Sequence, residues 1–302
     1  MRKKMIAGVL AAVGAVAVGT LAIGALRGSS GSAPADALLV GSSRQSDAAP
    51  RVVGLTRGGD LVSFRADRPG DARRVGVVKG LTGDTRLVGI DFRVQDGKLY
   101  GVGNQGGVYT LNTTNARAAQ VSRLTVPLLG TRFGVDFNPA ANRLRVVSDT
   151  GQNLRHNIDD PAGAPAAGTT ATDTTLTVPP ASTAAVGVTA AAYTNNDLDA
   201  TTATTLFDLN TTTDQIVVQS PANQGELAPT GALGVDATGD AGLDIVSDLR
   251  AGKTRANTAY ATLKVDGRQR FYQISLLTGR ADVIGSFAGQ APVTDIAVTL
   301  DR

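Results

Sequence analysis

The sequence predicts an all-β fold, a β-propeller of about five blades whose ring is closed by the C-terminal strand. Three observations predict it. Beyond residue 50 helical periodicity is hard to find, and short apolar or alternating runs recur between Gly, Asn, Asp and Pro. A similar element then returns along the chain: "RLVGIDFR" at 86–93, "TRFGVDFN" at 131–138, "AAVGVTAA" at 184–191 and "GALGVDAT" at 231–238. Its glycines, Gly89, Gly134, Gly187 and Gly234, are 45, 53 and 47 residues apart. That period accommodates a four-stranded blade. Finally, a degenerate copy, "APVTDIAV" at 291–298, stands at the extreme C-terminus.

Taken in order, the chain opens with a basic start, Arg2, Lys3 and Lys4, followed by an uncharged run over residues 5–26. Ala33-Pro34-Ala35 and Ala35-Asp36-Ala37 both fit an A-x-A cleavage site. Residues 1–37 therefore read as a signal peptide that is removed, leaving a secreted or extracytoplasmic protein. The alternative is a retained membrane anchor, since at about 1.5 Å per residue the run is long enough to cross a bilayer. The small, polar residues 38–50 read as a linker, and 51–302 as the propeller domain.

That domain begins mid-blade with "RVVGLTRGGDLVSFRA", which has no copy of the recurring element in front of it. The economical reading is that the strand near 293–300 completes this first blade. Further strands are expected at "RRVGVV", "KLYGVG", "GVYTLN", "RLRVVS", "TLFDL", "QIVVQ" and "RFYQISL". Five copies give five blades, or six if the long final unit, 232–287, hides another.

Composition removes several function classes. Residues 1–37 hold four of the 29 basic residues and one of the 26 acidic ones, so the remainder is charge-balanced. A nucleic-acid partner, which needs a positive field, is not expected. The absence of cysteine excludes disulfides, thiolate nucleophiles and zinc–thiolate or iron–sulfur sites. One histidine excludes any site built from several imidazoles, and Glu226 is the only glutamate. No nucleophile elbow, phosphate loop or dinucleotide fingerprint is present, because "GVGNQGG" leads into a strand and not a helix.

The ordered set "GIDFR…LYGVG", "GVDFNPAANRLRVVSDTGQNLRHN", "AAYTNND…TTLFDLN", "QSPANQGEL…GALGVD" and "YQISLLTGRADVIGSF" resembles a secreted bacterial family, the domain-of-unknown-function family numbered 4394. The resemblance covers nearly all of residues 51–300. It implies a propeller-like exported domain and carries over no catalytic residue, substrate or cofactor.

Three groups of side chains invite a functional reading. Asp91, Asp136 and Asp236 occupy the same place in three repeats. They would either ring the channel as oxygen ligands for Ca²⁺ or accept backbone N–H bonds and fix turns; the second, architectural role is favoured, and no cofactor is assigned. Arg143, Arg145 and Arg155, with Asp149 and Asn153, crowd one polar stretch. They would clamp an anionic ligand, although pairing of the arginines with neighbouring aspartates is the more ordinary role. His156, the only imidazole, falls on the same strand face as Leu154 and Ile158. A core position is therefore expected for it, against a general-base role beside Asp149 or Ser148.

The sequence as a whole points to an exported propeller that binds an extracellular ligand or surface component at one face of its channel. A membrane is a partner only if the N-terminal segment is retained. The rival is a calcium-assisted hydrolase, lactonase- or esterase-like, with its site at the channel.

Overall fold

The computed structural model describes residues 49–289 and 291–300. The expected leader over 1–37 and nearly all of the linker lie outside the described residues.

The fold is a β-propeller of five four-stranded antiparallel blades. Blade 1 combines β1 (Arg51–Thr56), β2 (Asp60–Arg65) and β3 (Arg68–Val77) with the last strand, β20 (Val293–Val298). Blade 2 is β4 (Leu87–Phe92), β5 (Leu99–Gly103), β6 (Gly107–Leu111) and β7 (Ala118–Arg123). Blade 3 is β8 (Phe133–Asn138), β9 (Arg143–Ser148), β10 (Asn153–His156) and β11 (Thr170–Thr172). Blade 4 is β12 (Val188–Tyr193), β13 (Leu206–Asn210), β14 (Gln215–Gln219) and β15 (Leu227–Ala232). Blade 5 is β16 (Gly242–Arg250), β17 (Lys253–Val265), β18 (Arg268–Ile274) and β19 (Ala281–Ser286).

The ring closes as the sequence predicts. β20 lies antiparallel to β1, with Val52 opposite Val298 and Leu55 opposite Asp295. The long final unit holds no sixth blade; its length goes into the 9-residue β16 and the 13-residue β17.

Among the described residues there are five apolar clusters, and each straddles a seam between successive blades. This follows from the strand patterns. The inner strand β12, VTAAAY, is buried along its whole length because both of its faces pack on neighbouring blades. The outer strands are largely open to solvent, as in β7, AAQVSR, which has no buried residue. These outer edges are blunted by Pro69 in β3, Pro229 in β15 and the three-residue β11. The closing seam is aromatic. Phe271 of blade 5 meets Phe64 of blade 1 edge-on at 5.1 Å and stacks on Tyr260 at 5.4 Å.

Candidate functional site: the propeller axis

Inner strands β4, β8, β12, β16 and β20 surround the axis, and three of them bring carboxylates together there. One oxygen from each of Asp91, Asp136 and Asp244 lies within 4.8 Å of the others. Each carboxylate also reaches across a seam to the backbone of the next inner strand. Asp91 accepts the Phe137 N–H (2.8 Å), Asp136 the Tyr193 N–H (3.0 Å) and Asp244 the Val298 N–H (2.5 Å). Because Tyr193 and Val298 stand in the place of Phe137, the residues before them, Ala192 and Ala297, hold the aspartate phase in β12 and β20. Asp295 sits two residues earlier on β20 and accepts the Ile90 N–H (2.7 Å), also two residues before the corresponding Phe92.

Gly134 of the recurring element, and Gly242 in the same place on β16, belong to this geometry. A Cβ on Gly134 would lie 2.5 Å from the Ala191 nitrogen, and one on Gly242 would lie 2.7 Å from the Asp295 Cα. Glycine lets neighbouring inner strands approach, and the aspartate two residues on ties them together. The bonds therefore cross seams; they do not fix the turns that follow, as the sequence reading had it.

Asp236 is not part of this group. It is exposed in the loop between β15 and β16, and Asp244 holds the axial position. "GALGVDAT" imitates the element in letters only, because Gly234 has φ 73 and turns the chain out of β15. The inner strand of blade 5 begins at Gly242.

Burial acts strongly on these acids. It pushes the Asp91, Asp136 and Asp295 carboxyls well above the ordinary carboxylate range, and like charges nearby push them further. Burial raises Asp244 to about 7.

At the end of the axis where the inner strands begin, a cavity of 250 Å³ opens, and all five blades contribute to its wall. Arg57 and Thr294 come from blade 1, Arg86 from the start of blade 2 and Arg132 from the start of blade 3. Thr189 comes from blade 4, and Asp240 from the loop entering blade 5. Asp240 pairs with Arg57, and its Oδ1 lies 3.3 Å from Arg132 Nε. Arg132 also stands 3.7 Å from Asp149. Two polar atoms in this wall are buried without a hydrogen bond, Thr189 Oγ1 and Arg132 Nε. None of the three arginines was singled out from sequence, yet each follows a threonine: Thr56-Arg57, Thr85-Arg86 and Thr131-Arg132. That dipeptide was the available signal.

The arginines expected to clamp a ligand meet elsewhere. Arg143, Arg145 and Arg155 line a 360 Å³ depression with Tyr193 and Asn223. Their donors are already engaged. Arg145 donates to Asp173 (2.7 Å), Asn153 (2.6 Å) and Asn223 (2.8 Å). Arg155 forms a two-pronged pair with the same Asp173, and Arg143 pairs with Asp160 at 3.0 Å. Asn153 joins this group through Arg145. Asp149 does not; it accepts the Thr131 N–H and hydroxyl near the axial cavity.

His156 is fully buried in β10, its ring nitrogens 2.8 Å from Ser122 Oγ and 2.9 Å from Thr170 Oγ1. Burial depresses its pKa to about 4, which keeps the ring neutral. Neither Asp149 nor Ser148 is its partner.

With this geometry in place, comparison with known proteins gives one firm assignment. The profile of "Domain of unknown function (DUF4394)" matches residues 60–297. The chain belongs to that family. No curated protein matches it. Among solved structures, it is similar to an auxiliary nutrient binding protein from Bacteroides thetaiotaomicron, at 15% identity and a TM-score of 0.38. That alignment covers 69% of this chain and 55% of the other, so the chain spans little more than half of that protein. A structural genomics protein of unknown function from the same organism gives 9% identity and a TM-score of 0.44, covering 84% of this chain and 67% of that one. The Dos1 propeller gives 10% identity and a TM-score of 0.38, covering 77% and 58%.

Proposed function

We propose that this member of the family is an exported ligand-binding module whose site is the axial cavity rimmed by Arg57, Arg86 and Arg132. One observation carries the reading: a single concavity collects polar side chains from every blade, and one of their polar atoms, Thr189 Oγ1, is buried without a partner. Buried polar groups are ordinarily satisfied, so such atoms in a concave wall mark a place where a ligand completes the bonding. Export rests on the leader-like residues 1–37. Mass spectrometry of secreted protein is expected to find a start after Ala35 or Ala37; only full-length, membrane-bound chain would contradict it. For binding, a thermal-shift screen of small polar extracellular metabolites is expected to give a saturable rise in Tm. The rise disappears in the Arg86→Gln/Arg132→Gln double variant. Hits indifferent to that variant would move the site elsewhere.

A second reading, the calcium-assisted hydrolase, is favoured by the proximity of Asp91, Asp136 and Asp244. In it a hard cation polarises a carbonyl and a carboxylate activates water. Turnover of a lactone or ester that depends on Ca²⁺ and is lost in Asp136→Asn would establish it.

A further inference from the structure

We propose that the axial cavity grips its ligand by an oxyanion, a carboxylate or phosphate group on a molecule of about monosaccharide size. The proposal rests on the reading of this cavity as the binding site and adds the chemistry of what enters it.

Charge points to the sign. The wall holds three guanidinium groups, Arg57, Arg86 and Arg132, against one carboxylate, Asp240. Asp240 is shared between Arg57 and Arg132, and Asp149 offers Arg132 only a longer contact of 3.7 Å. Arg86 has no ion pair among the described residues, so positive charge is left over. A cation would be repelled here, and a neutral ligand would leave the surplus unanswered.

Hydrogen bonding points the same way. Thr189 Oγ1 carries a hydroxyl free to donate, while Arg132 Nε, which can only donate, has no hydrogen bond beyond its 3.3 Å ion pair with the shared Asp240. A carboxylate or phosphate offers several lone pairs and suits the forked geometry of guanidinium. Thr189 is 2% exposed, so its unpartnered hydroxyl is costly unless something in the cavity meets it. Size follows from volume. At 250 Å³ the cavity falls below the range of about 300–1,000 Å³ typical for drug-sized ligands.

Three probes on one sugar scaffold separate the possibilities: glucuronate, glucose 6-phosphate and glucose, titrated calorimetrically into the secreted protein. The expected result is saturable binding of one or both anions and none of glucose. Arg86→Gln, an exposed substitution that breaks no ion pair, is expected to weaken anion binding about tenfold, as loss of a charge-assisted contact does. Thr189→Val is expected to weaken it as well, and added salt to do so in the wild type. Glucuronate alone binding assigns a carboxylate, and glucose 6-phosphate alone a phosphate. Glucose binding as tightly as the anions overturns the oxyanion, and the cavity survives as the site only if Thr189→Val abolishes that binding. No anion binding up to about 10 mM overturns the proposal. Anion binding untouched by both variants overturns it together with the reading of the cavity.

Discussion

Gly134 and Asp136 occur in one short motif and do different work. The glycine admits the next strand, and the aspartate bonds to that strand's backbone. Gly134→Ala would drive a methyl group to 2.5 Å from the Ala191 backbone nitrogen, which cannot retreat as a flexible side chain can. The expected loss is about 1–3 kcal/mol of unfolding free energy in a urea titration, with an unchanged m-value. An equally stable alanine variant would mean that the inner strands are less tightly apposed. His156 tests the opposite kind of site. Its depressed pKa makes the native state resist protonation, so its share of stability is present above the unfolded value of 6.5 and is lost as pH falls towards about 4. His156→Leu has nothing to protonate but gives up the bonds to Ser122 and Thr170. The variant is expected to lose about 1–3 kcal/mol at pH 7 and to lose less further stability than the wild type between pH 6.5 and 4. If His156 were instead a general base, any activity found would fall roughly 10²–10⁴-fold in a folded variant.

Strands were legible in the sequence where one physical demand repeated. The inner strands β4, β8 and β20 stand where the recurring element was found, because every blade must solve the same packing problem around the axis. The motif failed at "GALGVDAT", and its glycine failed at "AAVGVTAA", because Gly234 and Gly187 serve turns and not a close approach between inner strands. Letters alone do not separate these uses of glycine. The axial cavity was harder to see. Its arginines arrive from three blades, and none has a local pattern that demands a cation. The Arg143–Arg145–Arg155 group was visible as a cluster, but its donors turn inward to Asp160 and Asp173. Closure is the element-scale prediction. β20 is the innermost strand of blade 1 and contributes Val293, Ile296 and Val298 to the seam with blade 5. Ending the chain before Pro292 removes that core and leaves β1 with an unpaired edge. The truncated protein is expected to aggregate or unfold without cooperativity; an unchanged melting curve would show that the ring does not depend on its last strand.

Across the whole ring, pH acts on groups whose native protonation differs from that of the unfolded chain. Asp91, Asp136, Asp244 and Asp295 gather at the axis. Asp208 in β13 is fully buried, with both oxygens unpartnered, and burial raises it to about 8. In each case the folded pKa lies above the unfolded value of 3.8, so the native state holds more protons than the unfolded chain. The stability this gives is fully present below 3.8 and is lost as pH rises through the folded values, about 7 for Asp244 and about 8 for Asp208. His156 opposes this trend only below pH 6.5. Aspartates held by exposed basic partners, such as Asp199 by Lys253, have lowered values and change nothing above 3.8. Between pH 5.5 and 8, Tm is therefore expected to fall, and the fall shrinks when Asp208→Asn removes one titrating group. Calcium provides the discriminating arm at pH 8. If the axial carboxylates meet their mutual repulsion with protons, millimolar Ca²⁺ leaves Tm where it was. A saturable rise that vanishes in Asp91→Asn/Asp136→Asn/Asp244→Asn would instead show a cation bound to the native ring, and the hydrolase reading would replace the binding module.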